Sequence, residues 1–274
     1  MGQTSDFSKK NQRAKALVAQ VHSLAFVGCA LAAVGARAHL DRWSFMGKPI
    51  EAGTHMYLAQ VLCVTLLSFG NATHSLSGIS AWKAFLFSAL AFTAGVNVGS
   101  WVQVALQEAG LCRGYGWNWI PDADFIGDFL GHWSRDQCSP KAVNDLIFEA
   151  MSMTSGLYLC FALSSFYAGR GWAAKFAGFL SAGMWVLFGF SLLASFGWIS
   201  KSAFDAVYVK CGLVLYSGKI MYDTDFLWSR AEQGATDVVN EACNVMLNVL
   251  HLFIRIIKLL GEAKGASKRK KRED

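Results

Sequence analysis

The stretch Val207-Tyr208-Val209-Lys210-Cys211-Gly212-Leu213-Val214-Leu215-Tyr216-Ser217-Gly218-Lys219-Ile220-Met221 runs directly into Tyr222-Asp223-Thr224-Asp225. A second apolar segment follows after one short connector. Carboxylates at the edge of hydrocarbon are costly and are usually kept for handling ions or protons, so the last third of the chain is where function is to be sought.

The whole chain shares this apolar character. Its 274 residues are 54% hydrophobic, with 20 Phe and 10 Trp against 3 Pro. Apolar stretches of about 18 or more residues read as membrane-spanning helices, because in hydrocarbon each backbone N–H and C=O must be satisfied within its own segment. Such stretches lie near 16–38, 53–70, 82–106, 146–168, 174–198, 204–226 and 240–260. The expected architecture is an all-α polytopic membrane bundle of six clear transmembrane helices, with a seventh C-terminal helix that is spanning or re-entrant. Residues 1–15 form a cytosolic N-terminal segment, 16–260 the transmembrane domain with an extended lumenal loop at 107–145, and 261–274 a basic tail. The first apolar stretch follows a long polar lead and has no small-residue cleavage site, so it is expected to remain as helix 1.

The positive charge gathers at both ends. Lys9, Lys10, Arg13 and Lys15 precede helix 1, and Lys264, Lys268, Arg269, Lys270, Lys271 and Arg272 follow the last segment. By the positive-inside tendency both ends point to the cytosol. Seven full crossings would put them on opposite sides, so six crossings plus an ambiguous seventh segment reconciles the charges best. Lys271 and Arg272 also resemble a dibasic retrieval signal of the endoplasmic reticulum, and the basic tail suits contact with membrane lipids.

Cys29, Cys63, Cys160, Cys211 and Cys243 lie in apolar segments and read as small buried hydrophobes. Cys112 and Cys138 instead bracket the long loop, on the side where disulfides persist, and either pair there or remain two free thiols. Within that loop Asp122, Asp124 and Asp128 fail as a calcium loop, because Ile126 and Trp133 stand where ligands are needed. Asn71-Ala72-Thr73 matches a glycosylation acceptor on the presumed cytosolic side. The six histidines are scattered singly, so no metal site is expected. No nucleophile is paired with a base, so the chain is not read as an enzyme, and no cofactor or nucleic-acid partner is expected.

In the last segment Asn244, Asn248, His251, Arg255 and Lys258 are spaced four, three, four and three residues apart, which puts them on one helical face. Segment six supplies a matching line: Lys219 and Asp223 are one turn apart and can pair, with Asp225 just beyond.

These residues carry a resemblance. The run from Val207 through Tyr222-Asp223-Thr224-Asp225, then Arg230-Ala231-Glu232-Gln233-Gly234 and Leu247-Asn248-Val249-Leu250-His251-Leu252-Phe253, resembles the Bax inhibitor-1 family. Weaker echoes are Cys29 to Gly35, Phe92 to Gly99 and Phe161 to Ala168. The resemblance implies a multi-span protein of the endoplasmic reticulum membrane that restrains cell death and stress responses. It also implies a pH-dependent leak of calcium, the permeant ion, and contacts with other reticulum and cell-death regulatory proteins. In that family an aspartate of the sixth helix faces one of the last helix, and the two share a proton in the closed state.

Asp223 matches the first of these aspartates, but the second falls at Asn248 and another last-helix acid at Asn244. Facing carboxylates titrate as a pair, whereas an Asp–Asn pair does not. Asn248 can donate permanently to ionised Asp223, keeping the closed contact while weakening the pH switch. Lys219 replaces an apolar residue and opposes cations. His251 is the remaining group on the stripe with a pKa near neutrality, a candidate substitute sensor. The gate and ion path are therefore expected at Asp223, Asn248, Asn244, Lys219, Asp225 and His251. A non-conducting regulator acting through protein contacts is the alternative.

Overall fold

The computed structural model describes residues 2–40, 44–45, 48–49, 54–69, 74–75, 78–111, 140–167, 171–234 and 236–273. Cys112 and Cys138, the acidic loop between them and the Asn71-Ala72-Thr73 acceptor lie outside the described residues.

Seven α-helices fill the described residues: α1 (Gly2–Leu40), α2 (Thr54–Phe69), α3 (Ala81–Glu108), α4 (Pro140–Tyr167), α5 (Ala177–Ser195), α6 (Lys201–Gln233) and α7 (Val238–Glu273). A two-residue ladder, β1 (Ser44–Phe45) with β2 (Lys48–Pro49), closes the α1–α2 connection. The charged lead and the basic tail are both helical, continuous with α1 and α7. Polar termini of this kind extend a span without breaking its backbone hydrogen bonds.

Local chemistry sets several helix ends. Ser80 and Ser200 cap α3 and α6, their hydroxyls accepting from the amides of Lys83 and Ala203. Gly234, at φ 70°, ends α6 in the left-handed conformation that glycine adopts without a Cβ penalty.

Close contacts fix the direction of each helix. Gly28 and Gly35 of α1 abut Phe87 and Phe92 of α3, so α1 and α3 run parallel. Lys83, near the start of α3, pairs with Asp237 ahead of α7 at 3.1 Å. At the far end Gly261 and Gly265 press on Ala105 and Glu108, so α7 is parallel to α3 as well. Against α7, α6 runs the other way, with Asp223 level with Asn248 and Arg230 with Glu241. In turn α5 opposes α6, with Gly183 on Leu215 and Leu180 on Gly218. The bundle is an up-and-down array in which α1, α3, α5 and α7 share one direction.

This arrangement bears on the expectation of two cytosolic ends. The core-facing side of α7 reaches from Val238 to Gly261 as one uninterrupted helix, passing from the end of the bundle that holds Lys83 to the end that holds Glu108. Its 36 residues are about 54 Å long at ~1.5 Å per residue, ample for a hydrocarbon core of about 30 Å. It is long enough to span, and the two basic termini emerge at opposite ends of the bundle.

Among the described residues, five helical segments are long and apolar enough to cross a membrane: 11–40, 81–108, 144–165, 177–194 and 238–268. The seventh segment is among them. The 16 residues of α2 reach only about 24 Å, and α6 is long enough but carries Lys210, Lys219, Asp223 and Asp225 in its length.

The α1–α3 interface is built by small residues. A Cβ on Gly95 would lie 1.9 Å from the Ala32 carbonyl oxygen, and one on Gly35 would lie 2.2 Å from that of Phe92. Backbones approach this closely only where a side chain is missing, the usual device for packing helices in lipid. Two apolar clusters stack along α7. The first joins α1, α2, α3 and α6 around Val21, Leu67, Phe87, Leu227 and Met246, and the second joins α3, α4 and α6 around Val102, Ala150, Ile220 and Ile257.

The placement of the two termini at opposite ends is directly testable. With the native thiols replaced, single cysteines at Ser8 and Ser267 should react with an impermeant maleimide from opposite sides of sealed vesicles; labelling of both from one side would refute the seven-helix topology.

Candidate functional site

The α6–α7 hairpin joins along a polar ladder. Asn248 is buried, and its Nδ2 donates to Asp223 Oδ2 at 2.6 Å. The same oxygen accepts from Lys219 Nζ one turn earlier on α6. Asp223 thus has a cation and an amide donor on one carboxylate oxygen.

One level further along, the His251 ring lies 4.9 Å from Tyr216. Beyond it comes Arg255, only 1% exposed. Its guanidinium stacks on Tyr216 and Tyr208, at 4.1 and 4.7 Å from the ring centroids, and Nη1 donates to the His251 carbonyl at 2.8 Å. Nε and Nη2 of Arg255 are buried without a hydrogen-bond partner. A Cβ on Gly212 would lie 2.3 Å from Nε, so the glycine is what lets the guanidinium lie flat against α6. Cation–π contact with two rings offsets part of the cost of burying this charge. Lys258, 2% exposed, completes the ladder with Nζ 5.5 Å from the Trp101 ring of α3.

Of the six expected residues, three meet: Lys219, Asp223 and Asn248. His251 lies next along the ladder, against Tyr216. Asn244 is exposed and takes no part in the Asp223 contact. Asp225 sits beyond Asp223 and turns away, its Oδ1 accepting from the Gly171 amide at 3.4 Å in the α4–α5 connection.

Sequence reasoning missed the aromatic half of the ladder and one further group. Tyr158 of α4 has a buried hydroxyl with no hydrogen bond and lies within electrostatic reach of Cys29 and Asp223. The ring of His22 from α1 is 6.3 Å away. Tyr208 and Tyr216 stand eight residues apart, two helical turns, a repeat that would have placed them on one face. Tyr158 offered no such signal, being brought in from a different helix.

At the connector the ladder is closed by ion pairs. Arg230 donates to Glu241 at 2.6 Å, and Asp237 holds Lys83 and Asn240. His74 meets the Thr236 carbonyl at 3.0 Å. Among the described residues no group of three or more His, Cys, Asp or Glu could hold a metal ion.

The same portion of the chain matches known proteins. Residues 139–265, from the start of α4 to well along α7, match the family model described as inhibitor of apoptosis-promoting Bax1. Through this segment the chain is similar to the Bax inhibitor-1 family. Probable Bax inhibitor 1 of Paralichthys olivaceus is 30% identical over 120 residues, 43% of this chain and 50% of the relative. Bax inhibitor 1 of Bos taurus is 29% identical over 136 residues, 47% of this chain and 55% of the relative. That of Homo sapiens is also 29% identical over 136 residues, covering 48% and 55%. The chain thus spans about half the length of the curated relatives it matches. The Asp223–Asn248 contact, Arg255 and Tyr158 all fall inside the matched segment, whereas α1 and α3, which pack against it, fall outside.

Removing the amide tests the ladder's weight in the fold. Asn248→Leu leaves Asp223 with Lys219 alone and should cost about 1–3 kcal/mol, read as earlier thermal unfolding of the purified protein in detergent. An unchanged unfolding curve would show that the contact does not hold α6 to α7.

Proposed function

We propose that this chain is a multi-pass protein of the endoplasmic reticulum membrane that restrains cell death by modulating the leak of calcium, and that it does so without catalysis. The reading rests on one observation above the others: the Asn248 amide donates to Asp223 across the α6–α7 interface at 2.6 Å. Similarity to Bax inhibitor 1 proteins supports the apoptosis-regulating role.

In this reading the contact is the closed gate. Two carboxylates here would share a proton and part when it was lost, so the gate would respond to pH. With Asn248 the donor hydrogens never leave, and Lys219 pairs with Asp223 from the other side. Closure is then permanent rather than titratable. Opening would have to come from outside the ladder, through lipid or through other membrane and cell-death regulatory proteins.

One observation favours a second reading, a regulator that does not conduct. Beyond Asp223 the ladder carries the buried Arg255 and Lys258, both positive. Two unit charges about 4 Å apart repel by ~4 kcal/mol at an effective dielectric constant of about 20, so a calcium ion taking this route would meet a strong barrier.

Calcium efflux from vesicles of purified protein separates the two. If the leak reading holds, wild-type efflux should exceed that of protein-free vesicles and stay flat between about pH 6 and 8. Asn248→Asp should restore a dyad whose proton is lost as pH rises, so its efflux should climb with pH, more steeply when combined with Lys219→Leu. Efflux equal to protein-free vesicles in every variant, with protection of cells intact, would replace the leak by the non-conducting reading.

A further inference from the structure

The inner face of α4 is a single stripe. Leu146, Ala150, Thr154 and Tyr158 follow one another at four-residue intervals, and the first three are at most 3% exposed. The opposite side carries Phe148, Leu159 and Leu163, all exposed and apolar, as a surface turned to lipid requires.

The two hydroxyls of the stripe differ. That of Thr154 donates to the Ala150 carbonyl at 2.7 Å, within its own helix. The Tyr158 hydroxyl stands at the end of a rigid ring, beyond reach of its own turn, and is buried without a hydrogen-bond partner. A donor left dry in this way destabilises the packing that leaves it so, and favours any other packing that supplies an acceptor.

The neighbourhood supplies one. Tyr158 packs on the cluster that holds Ile220 of α6 and Leu252 of α7, which stand three residues from Asp223 and four from Asn248, so its ring lies beside the latch. Asp223 is within its electrostatic reach. The hydrogen bonds from Lys219 and Asn248 both fall on Oδ2 of Asp223, which leaves Oδ1 to accept another. On α1 the His22 ring is 6.3 Å away, with Nδ1 2.8 Å from the Val18 carbonyl. Of these two acceptors the carboxylate is the stronger, because a hydrogen bond to it is charge-assisted.

We propose that Tyr158 is the alternative partner of Asp223: when Asp223 parts from Asn248, its carboxylate takes the Tyr158 hydroxyl, and α4 then holds α6 in the released position. The consequence for calcium rests on the gate reading above, whereas the contact itself does not. In the described packing Asn248 holds the carboxylate and the hydroxyl is dry; in the released packing the hydroxyl is satisfied in its place. Trading one donor for another brings the two packings close in energy, so a modest bias moves the balance. Because α4 meets lipid along Phe148, Leu159 and Leu163, a change in lipid packing that shifts α4 supplies that bias. Tyr158 is thus a positioning residue that gives the latch an input from outside the ladder.

A fluorinated tyrosine in place of Tyr158 reports the exchange by fluorine NMR of the full chain in detergent. Asn248→Leu should move its signal, as the freed carboxylate takes the hydroxyl, while Asn244→Leu on the exposed neighbouring turn should leave it in place. Tyr158→Phe removes a dry hydroxyl and little else, so it should unfold at a higher temperature than wild type; loss of a hydroxyl already bonded would lower that temperature. In vesicles Tyr158→Phe should cut calcium efflux at least about tenfold in the Asn248→Leu background, the worth of one hydrogen bond to a charged acceptor. Efflux equal to protein-free vesicles in all variants, with the fluorine signal still moving, would remove the calcium reading and keep the contact. The exchange would be overturned by a signal that Asn248→Leu does not move in the folded protein, by one that follows His22→Leu instead, or by earlier unfolding of Tyr158→Phe. Efflux above that of protein-free vesicles and unchanged by Tyr158→Phe would overturn its control of the latch.

Discussion

The hydrogen bond from Asn248 to Asp223 is the contact on which the arrangement of helices depends. A helix bearing Lys210, Lys219, Asp223 and Asp225 cannot turn every face to lipid, because each unsatisfied charge in hydrocarbon is costly. It must lie against a helix that offers polar partners, and α7 offers them at matching heights. Tyr208 meets Arg255, Tyr216 meets His251, Asp223 meets Asn248 and Arg230 meets Glu241. Once α6 is fixed to α7, the remaining helices close around the pair. The glycine contacts of α3 on α1 at one side and on α7 at the other then bring the backbones into van der Waals range. Those glycine seams give the tightness, while the polar ladder gives the register.

That ladder is unusual in sign. Its formal charges, Lys219, Asp223, Arg255 and Lys258, sum to plus two, and Arg255 has no carboxylate among its hydrogen-bond partners. The guanidinium is held instead by two tyrosine faces and a carbonyl, with Gly212 making room. Asp225, two residues past the latch, accepts instead from the Gly171 amide at 3.4 Å. The two acids of a single tetrapeptide therefore have different surroundings, one locking helices together and the other meeting the α4–α5 connection.

Much of this was legible in the sequence, for a physical reason. Helical periodicity is a property of the chain alone, so the seven segments, the Lys219–Asp223 pair and the Asn248-to-Lys258 stripe could be read from spacing. What covers a stripe is not such a property. Asn244 shares the face of Asn248 by spacing yet is exposed, because the surroundings of α7 change along its length. Tyr158 approaches Asp223 from α4, 65 positions away in the chain, and no local pattern announces it. Likewise the basic ends gave one answer about topology and the packing of Gly261 and Gly265 on α3 gave another.

The sequence by itself determined that this is a helical membrane protein, which segments are helices, which residues carry charge into them, and the resemblance to the Bax inhibitor-1 family. Composition and periodicity suffice for these, since hydrocarbon leaves a span no alternative to satisfying its own backbone. Only the tertiary structure decided that the last helix runs parallel to the first and third, that Asn244 stays out of the Asp223 contact, and that Arg255 lies between two tyrosines. Each of these depends on distances between segments far apart in the chain, and those are fixed by close packing rather than by any one segment's own preference.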